Sequence, residues 1–179
     1  MDDFPVLKTE RLVLNYPERS DIPDIVQMLN EPDYSSHTLG LPYPYTPKDA
    51  EFWLGLAQKG LEQKDKFVFA VRLQESGKII GGIDISLVPK HRRGEIGYWL
   101  GKNYWNQGYM TEAGKAVIRF GFEELSLKRI YASHFSTNPA SGRVMQKIGM
   151  EKEGFLKAYT NKGEDYQDHV LYAIINPNL

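Results

Sequence analysis

The sequence predicts an α/β domain built on a mixed, mostly antiparallel sheet with helices on both faces. Three observations carry that prediction. Apolar periodicity orders the elements as β α α β β β α β α β β along 179 residues, a length suited to one domain spanning 1–179. The middle strands follow one another through short polar turns, as antiparallel neighbours do. The β–α–β run from Glu95 to Phe135 then calls for a right-handed crossover between two parallel strands.

The elements follow in order. Glu10–Tyr16 (ERLVLNY) is β-rich and reads as the first strand. Ser20 or Asp21 caps a helix over Ile22–Leu29, with Ile22, Ile25, Val26 and Leu29 on one face. Asn30–Pro47 is a loop rich in proline and aromatics, which reads either as cover for a core edge or as a binding surface. Thr46 caps a second helix, with Pro47 at its first position, running to about Lys64. Lys66–Leu73 and Ile79–Val88 are strands around the turn Gln74–Lys78, and Gly81-Gly82 suggests a bulge or a close backbone approach. Pro89–Arg93 turns into the central stretch Gly94–Phe122. There Ile96–Leu100 reads as a buried strand, Lys102–Gly108 as a polar turn, and Thr111–Phe122 as a helix with Ala113, Ala116, Val117 and Phe120 on one face. Arg129–Phe135 is a strand, and Pro139–Ile148 a short helix stopped by Gly149. Met150–Tyr159 and Tyr166–Ile175 are strands around the turn Asn161–Asp165.

Composition narrows the function. The formal net charge is −1 with acids and bases mixed, so neither a nucleic-acid track nor a polybasic membrane patch is expected. No apolar run reaches membrane-spanning length, and MDDFPVLKTE lacks signal-peptide character, so a cytoplasmic location is expected. The chain has no cysteine, which excludes disulfides, thiolate metal sites and a cysteine nucleophile. His37, His91, His134 and His169 share no metal-ligand spacing, and no metal is expected. The P-loop, the dinucleotide fingerprint and the G-x-S-x-G elbow are all missing. What remains is the central strand, turn and helix, which offers amide N–H groups and the positive end of a helix dipole to an anion.

Several motifs recur in a shared order and spacing. They are Thr9-Glu10-Arg11-Leu12, Ile80-Gly81-Gly82-Ile83, Glu95-Ile96-Gly97-Tyr98-Trp99-Leu100, Gly108-Tyr109-Met110-Thr111-Glu112-Ala113, Asn138-Pro139-Ala140-Ser141, Lys147-Ile148-Gly149-Met150 and Asp168-His169-Val170-Leu171-Tyr172. With them the chain resembles the GCN5-related N-acetyltransferases (GNAT), and within these the ribosomal-protein N-terminal acetyltransferases of the RimJ/RimL type. The resemblance covers nearly the whole length. It implies a sheet splayed between its fourth and fifth strands, Ile96–Leu100 and Arg129–Phe135.

The resemblance also implies acetyl-CoA as cosubstrate. Its pantetheine arm would pair with main-chain groups of Ile96, Tyr98, Trp99 and Leu100, as an added strand does. Its pyrophosphate would sit on the amides of Gln107, Gly108, Tyr109, Met110 and Thr111. Met110 stands where the family pattern has a small residue, so its side chain must point away from the phosphates or the loop must be slightly reshaped. Asn138 is an ordinary helix cap that in the family also bonds pantetheine, and Lys147 joins the expected cofactor set. Ser141 places a hydroxyl where it can protonate the departing thiolate. Glu95 is the candidate general base, its pKa raised by burial, or else a strand residue that braces the splay. Asp84 is the alternative carboxylate. Tyr131 reads as core, His134 and His169 as packing or surface residues, and Glu112 as a structural partner of the helix dipole. The implied reaction is direct attack by an amine within a ternary complex. The acceptor is either a protein N-terminus or a small amine, and a non-catalytic acyl-CoA-binding module is the reading from another class. A monomer or a homodimer fits equally.

Overall fold

The computed structural model describes residues 4–179. Its eight strands form one sheet in the order β1-β2-β3-β4-β5-β6-β8-β7. These are β1 (Leu7–Lys8), β2 (Leu12–Asn15), β3 (Lys66–Leu73), β4 (Ile79–Val88), β5 (Arg93–Leu100), β6 (Arg129–Phe135), β7 (Glu151–Lys162) and β8 (Asp165–Ile175). The helices are α1 (Ile22–Leu29), α2 (Pro32–His37), α3 (Pro47–Gln63), α4 (Tyr109–Glu123) and α5 (Pro139–Lys147). The sheet is mixed: β5 and β6 run parallel and the other neighbours antiparallel.

Alternation along the strands sorts side chains to two cores. Ile83, Ile85, Ile96, Ile130 and Ala132 pack with Ala113, Val117 and Phe120 of α4 and Met145 of α5. On the opposite face, Ala70, Ile79 and Trp99 pack with Ile25 and Leu29 of α1 and Ala50 of α3. Each fully buried Ile, Leu or Phe contributes roughly 1.5–3 kcal/mol, so both faces must stay covered.

Beside Gly81-Gly82 there is a bulge, and Gly81 meets a close backbone approach, since a Cβ there would lie 2.6 Å from the Trp99 carbonyl oxygen. Val71 pairs with Gly81 but Arg72 pairs with Ile79, which leaves Ile80 as the extra residue of a bulge. A Cβ on Gly82 would lie 2.5 Å from Trp99 Nε1, so only glycine admits the indole there. A buried ion pair ties β3 to the turn before α1. Arg72 Nη1 and Nη2 donate to the two Asp21 oxygens at 2.6 and 2.7 Å, and Arg72 Nε donates to Asn15 Oδ1 at 2.8 Å.

The structure departs from sequence expectation in four places. β1 precedes the expected first strand. The Asn30–Pro47 segment is not all loop, because it contains α2, started by Pro32 after an extended Glu31. The focal helix begins at Tyr109, two residues early, because Gly108 at φ 81° turns the chain straight into it. β7 and β8 run on to a two-residue turn, since Lys162 pairs with Asp165 across Gly163 (φ 71°) and Glu164. Periodicity marks where an element buries a face, so polar first turns and hairpin tips escape it. Among the described residues no helix is long and apolar enough to cross a membrane.

Candidate active site

The sheet opens between its two parallel strands. β5 and β6 pair at only three positions: Arg93 with Arg129, Gly94 with Ile130, and Glu95 with Tyr131. Beyond these, Ile96–Leu100 stays on β4 while Ala132–Phe135 stays on β8, which leaves a wedge with Glu95 and Tyr131 at its apex.

The register decides which groups face that wedge. The Gly101 N–H donates to the Ile80 carbonyl at 2.8 Å. Antiparallel pairs alternate between bonded and non-bonded, so Trp99 and Gly97 also turn their main chain to β4. Ile96, Tyr98 and Leu100 therefore direct theirs into the wedge. This corrects the expectation for Trp99. Its main chain is committed to β4, and its indole packs edge-on to Trp53 at 5.8 Å in the α3-side core. The Leu100 carbonyl is committed as well, accepting from Tyr34 Oη at 2.8 Å and Trp105 Nε1 at 2.7 Å. Burial pushes the Tyr34 phenol up to about 12, so it stays protonated and donates. The Ile96 N–H closes the last β5–β6 pairing, that of Glu95 with Tyr131, so Tyr98 is left as the residue with both main-chain groups toward the gap.

At the far end of β5 lies the expected phosphate turn. Gly108 is the N-cap of α4, and no side chain caps the helix. The N–H groups of Tyr109, Met110 and Thr111 thus form the open positive end of a 15-residue helix. Met110 is 4 % exposed and belongs to the core cluster, so its side chain turns inward, away from the turn. Gln107 is exposed and its Nε2 donates to the Asn103 carbonyl at 2.9 Å.

Arg11, which residue-by-residue reading passed over, stands beside this turn. Its Nη1 donates to the Gln107 carbonyl at 3.0 Å and its guanidinium lies 4.4 Å from the Tyr109 ring. Glu112 accepts from Thr9 Oγ1 at 2.6 Å, Arg11 N at 2.8 Å and Arg11 Nε at 2.7 Å. The Thr9–Leu12 motif is therefore a clamp on the first turn of α4, and its presence among the motifs was the available signal.

Burial pushes the Glu112 carboxyl up, but the bonds from Thr9 and Arg11 outweigh it and hold the group below the usual carboxylate range. A depressed folded value stabilises the fold above the unfolded value, near ~4.3, and that contribution disappears as pH falls through the folded value. Glu112→Gln is therefore expected to lower stability at neutral pH and to flatten its fall in acid. Urea unfolding of both proteins at neutral and acid pH measures this, and parallel losses would show Glu112 to be uncoupled.

The start of α5 closes the wedge on the α4 face. Asn138 is its N-cap, with Oδ1 accepting from Ser141 N at 3.3 Å and Nδ2 donating to the His37 carbonyl at 3.4 Å. The Ser141 hydroxyl is 2.8 Å from Tyr98 Oη, which also donates to the Ser141 carbonyl at 3.0 Å. Burial pushes the Tyr98 phenol well up, opposed by Ser141, so it remains neutral. Lys147 is exposed at the last turn of α5, where the adjacent Ile148 packs on Gly114 of α4.

Glu95 stands on the other face of the sheet, since odd-numbered residues of β5 alternate with Tyr98. It is exposed, and Tyr131 Oη donates to its Oε2 at 3.2 Å. This corrects the expectation of a buried carboxylate, because a strand at the splay has one side open. Tyr131 is half-buried at the apex, not core, because its ring faces the open side of the sheet. Asp84 is closer to the expected environment, with its side chain 21 % exposed. Burial pushes its carboxyl up, against the pull of Lys66 Nζ at 2.8 Å and of the Ser86 hydroxyl. His134 and His169 are both buried. Asp168 Oδ1 accepts from Ala158 N at 2.7 Å and supports that residue's positive φ of 47°. Among the described residues, no three His, Asp and Glu side chains converge to hold a metal ion.

The arrangement offers a strand edge with unpaired main chain, an uncapped helix terminus and a clamped turn. Those features fit a ligand with an amide-bearing arm and a phosphate end. The described family model "Acetyltransferase (GNAT) domain" matches residues 11–151. The chain is 30% identical over 175 residues to the uncharacterized N-acetyltransferase YoaA of Bacillus subtilis, covering 97% of this chain and 98% of that one. It is 31% identical over 127 residues to the [ribosomal protein uS5]-alanine N-acetyltransferase of Escherichia coli, covering 70% and 66%. RimL, a ribosomal L7/L12 alpha-N-protein acetyltransferase solved with coenzyme A, superposes with a TM-score of 0.86 at 19% identity, over 96% of this chain and 98% of that one.

Proposed function

The chain belongs to the acetyltransferase (GNAT) family and is an N-acetyltransferase, and from that membership we propose that it acetylates the α-amine of a protein or peptide N-terminus with acetyl-CoA. The observation that carries the cosubstrate is the wedge itself, where Tyr98 turns its main chain to an edge that leads to the uncapped start of α4. The acceptor class is supported by the similarity to a ribosomal-protein alanine N-acetyltransferase.

Acetyl-CoA supplies an activated acetyl thioester. The amides of Gly108–Thr111 bind its phosphates, with Arg11 beside them, and Ile96 and Tyr98 align its arm. The Tyr98 N–H faces the gap and can polarise a carbonyl there. Ser141 holds a hydroxyl proton on the α5 side. Glu95, held by Tyr131, takes a proton from the amine on the opposite face. With no cysteine in the chain, no thiol is present to carry the acetyl group, so the amine attacks directly. Holding both reactants in line supplies most of the acceleration.

One observation favours a slender acceptor, such as a polyamine or amino acid. α2 spans the open end of the wedge, held by Tyr34 to Leu100, by Asn138 to His37, and by Lys162 Nζ to the Ser35 carbonyl and to the Thr38 carbonyl at 2.9 Å. A thiol-release assay against N-terminal peptides, polyamines and aminoglycosides separates the two. Turnover of peptides is the expected result. Turnover of small amines alone would replace the acceptor, and no turnover of any would overturn the reaction.

A further inference from the structure

Three rows of paired residues lie side by side across β3, β4 and β5. They are Lys66, Ser86 and Glu95, then Val68, Asp84 and Gly97, then Ala70, Gly82 and Trp99. Side chains alternate along a strand, so all of these stand on one face, the one toward α3. The two glycines are diagonal neighbours. Each lies under a polar atom of the residue paired with it across the strands. A Cβ on Gly97 would lie 3.0 Å from Asp84 Oδ2, and its three nearest atoms would all belong to Asp84. A Cβ on Gly82 would lie 2.5 Å from Trp99 Nε1.

Neither polar atom has a partner. Asp84 Oδ1 meets Lys66 Nζ at 2.8 Å and the Ser86 hydroxyl at 3.4 Å, while Oδ2 makes no hydrogen bond among the described residues. Trp99 Nε1 is the one buried side-chain polar atom of the described residues left without a partner. An interior N–H left unpaired is costly, so its retention calls for a use. An open acceptor and an open donor thus stand on diagonal positions of one face. Within these rows, Lys66 is also the one cation for two carboxylates, Asp84 and Glu95.

Diagonal neighbours across two strands stand about 7–8 Å apart. A group that makes a hydrogen bond of about 2.9 Å at each end bridges that span when its donor and acceptor are borne on adjacent carbons. An N-terminal residue has this form. Its α-ammonium only donates and its own carbonyl oxygen only accepts. A polyamine offers donors at every nitrogen and no oxygen. The place is also right for acetyl transfer. Gly97 follows Glu95 by two residues on the same face and precedes Tyr98, whose main chain faces the gap. Trp53 of α3, partly exposed, stands edge-on to Trp99 at 5.8 Å and covers Nε1, so the carbonyl enters as Trp53 turns aside.

We propose that Asp84 and Trp99 recognise the acceptor as an α-amino carbonyl compound, with its ammonium on Asp84 Oδ2 and the carbonyl oxygen of the same residue on Trp99 Nε1. This rests on the acetyltransferase reading above and narrows its acceptor. A peptide N-terminus or an amino-acid amide fits, and a polyamine lacks the oxygen.

The test measures thiol release from acetyl-CoA with alaninamide and with sec-butylamine, which presents a similar amine without the carbonyl, for the wild-type protein, Trp99→Phe, Asp84→Asn and Gly97→Ala. Trp99→Phe is expected to lower kcat/KM about tenfold for alaninamide, the loss of one interior hydrogen bond, and to leave sec-butylamine unchanged. Asp84→Asn is expected to raise KM about 10–100-fold for both amines, as loss of a bond to a charged group does, with KM for acetyl-CoA at its wild-type value. Gly97→Ala puts a methyl group where Oδ2 lies and should raise both amine KM values while Lys66 keeps its partner, so it reads the same contact if Asp84→Asn fails to fold. Turnover of alaninamide alone by the wild-type protein, with the tenfold loss in Trp99→Phe, would support the same recognition. Equal losses for the two amines in Trp99→Phe, or none, would overturn the carbonyl contact. Wild-type amine KM values in Asp84→Asn and Gly97→Ala, or a loss confined to kcat, would overturn the ammonium contact, and acetyl transfer itself would stand in each of these cases. Absence of thiol release by the wild-type protein with every amine would overturn the reaction, and the recognition with it.

Discussion

Glu95→Gln is expected to lower kcat for thiol release by about 10²–10⁴-fold, with KM for acetyl-CoA at its wild-type value. The amide keeps the shape and can still meet Tyr131 Oη, which lies 3.2 Å from Oε2, but it takes no proton. Selective loss of kcat is the signature of a group that acts after the cosubstrate is bound. Because Glu95 is exposed, it acts by position, and Tyr131→Phe should cost less than Glu95→Gln by removing only the orienting bond. If Glu95→Gln kept kcat within twofold or so of wild type, Glu95 would be a strand residue at the apex and Asp84 the carboxylate to test next.

Asp21→Ala is expected to cost about 3–5 kcal/mol of stability, because it strands the Arg72 guanidinium in the interior. The two side chains are 13 % and 6 % exposed, and Asp21 also accepts from Glu18 N at 2.8 Å. In a chain of this size that loss lowers Tm by roughly 6–20 °C. Exchanging both partners for apolar residues of similar size should cost less than Asp21→Ala alone, since no charge is then left unpaired. Calorimetry on the single and double variants measures the difference. A shift of only a degree or two for Asp21→Ala would show that water reaches Arg72 and that the pair is not an interior one.

The legible parts of the site are those set by local chain chemistry. Gly108 before a helical pattern marks a helix start, and the open N–H groups follow from that alone. Asn138-Pro139 marks another helix start in the same way. The direction of Met110 was legible only through the family pattern, which has a small residue at that place. The illegible parts depend on pairing. Trp99 and Tyr98 are adjacent aromatics in one strand, and nothing local says which turns its main chain to the gap. That follows from the register with β4. Arg11 and Glu112 are far apart in sequence, so their clamp is invisible until β2 and α4 come together. Glu95 reads as a buried carboxylate on a central strand, but a strand at a splay has one side open.

By itself, the sequence determined the class of fold, the order of its main elements and the turn that offers main-chain amides to an anion. Each follows from periodicity, capping and glycine, which act within a few residues. Tertiary structure alone decided where β5 and β6 part, which residues line the gap, and that Glu95 and Ser141 stand on opposite faces of one sheet. It also set Asp84 over Gly97 and the Trp99 indole over Gly82. Those outcomes depend on strand register and on contacts between distant segments, and a shift of one residue would exchange every side chain between the two faces.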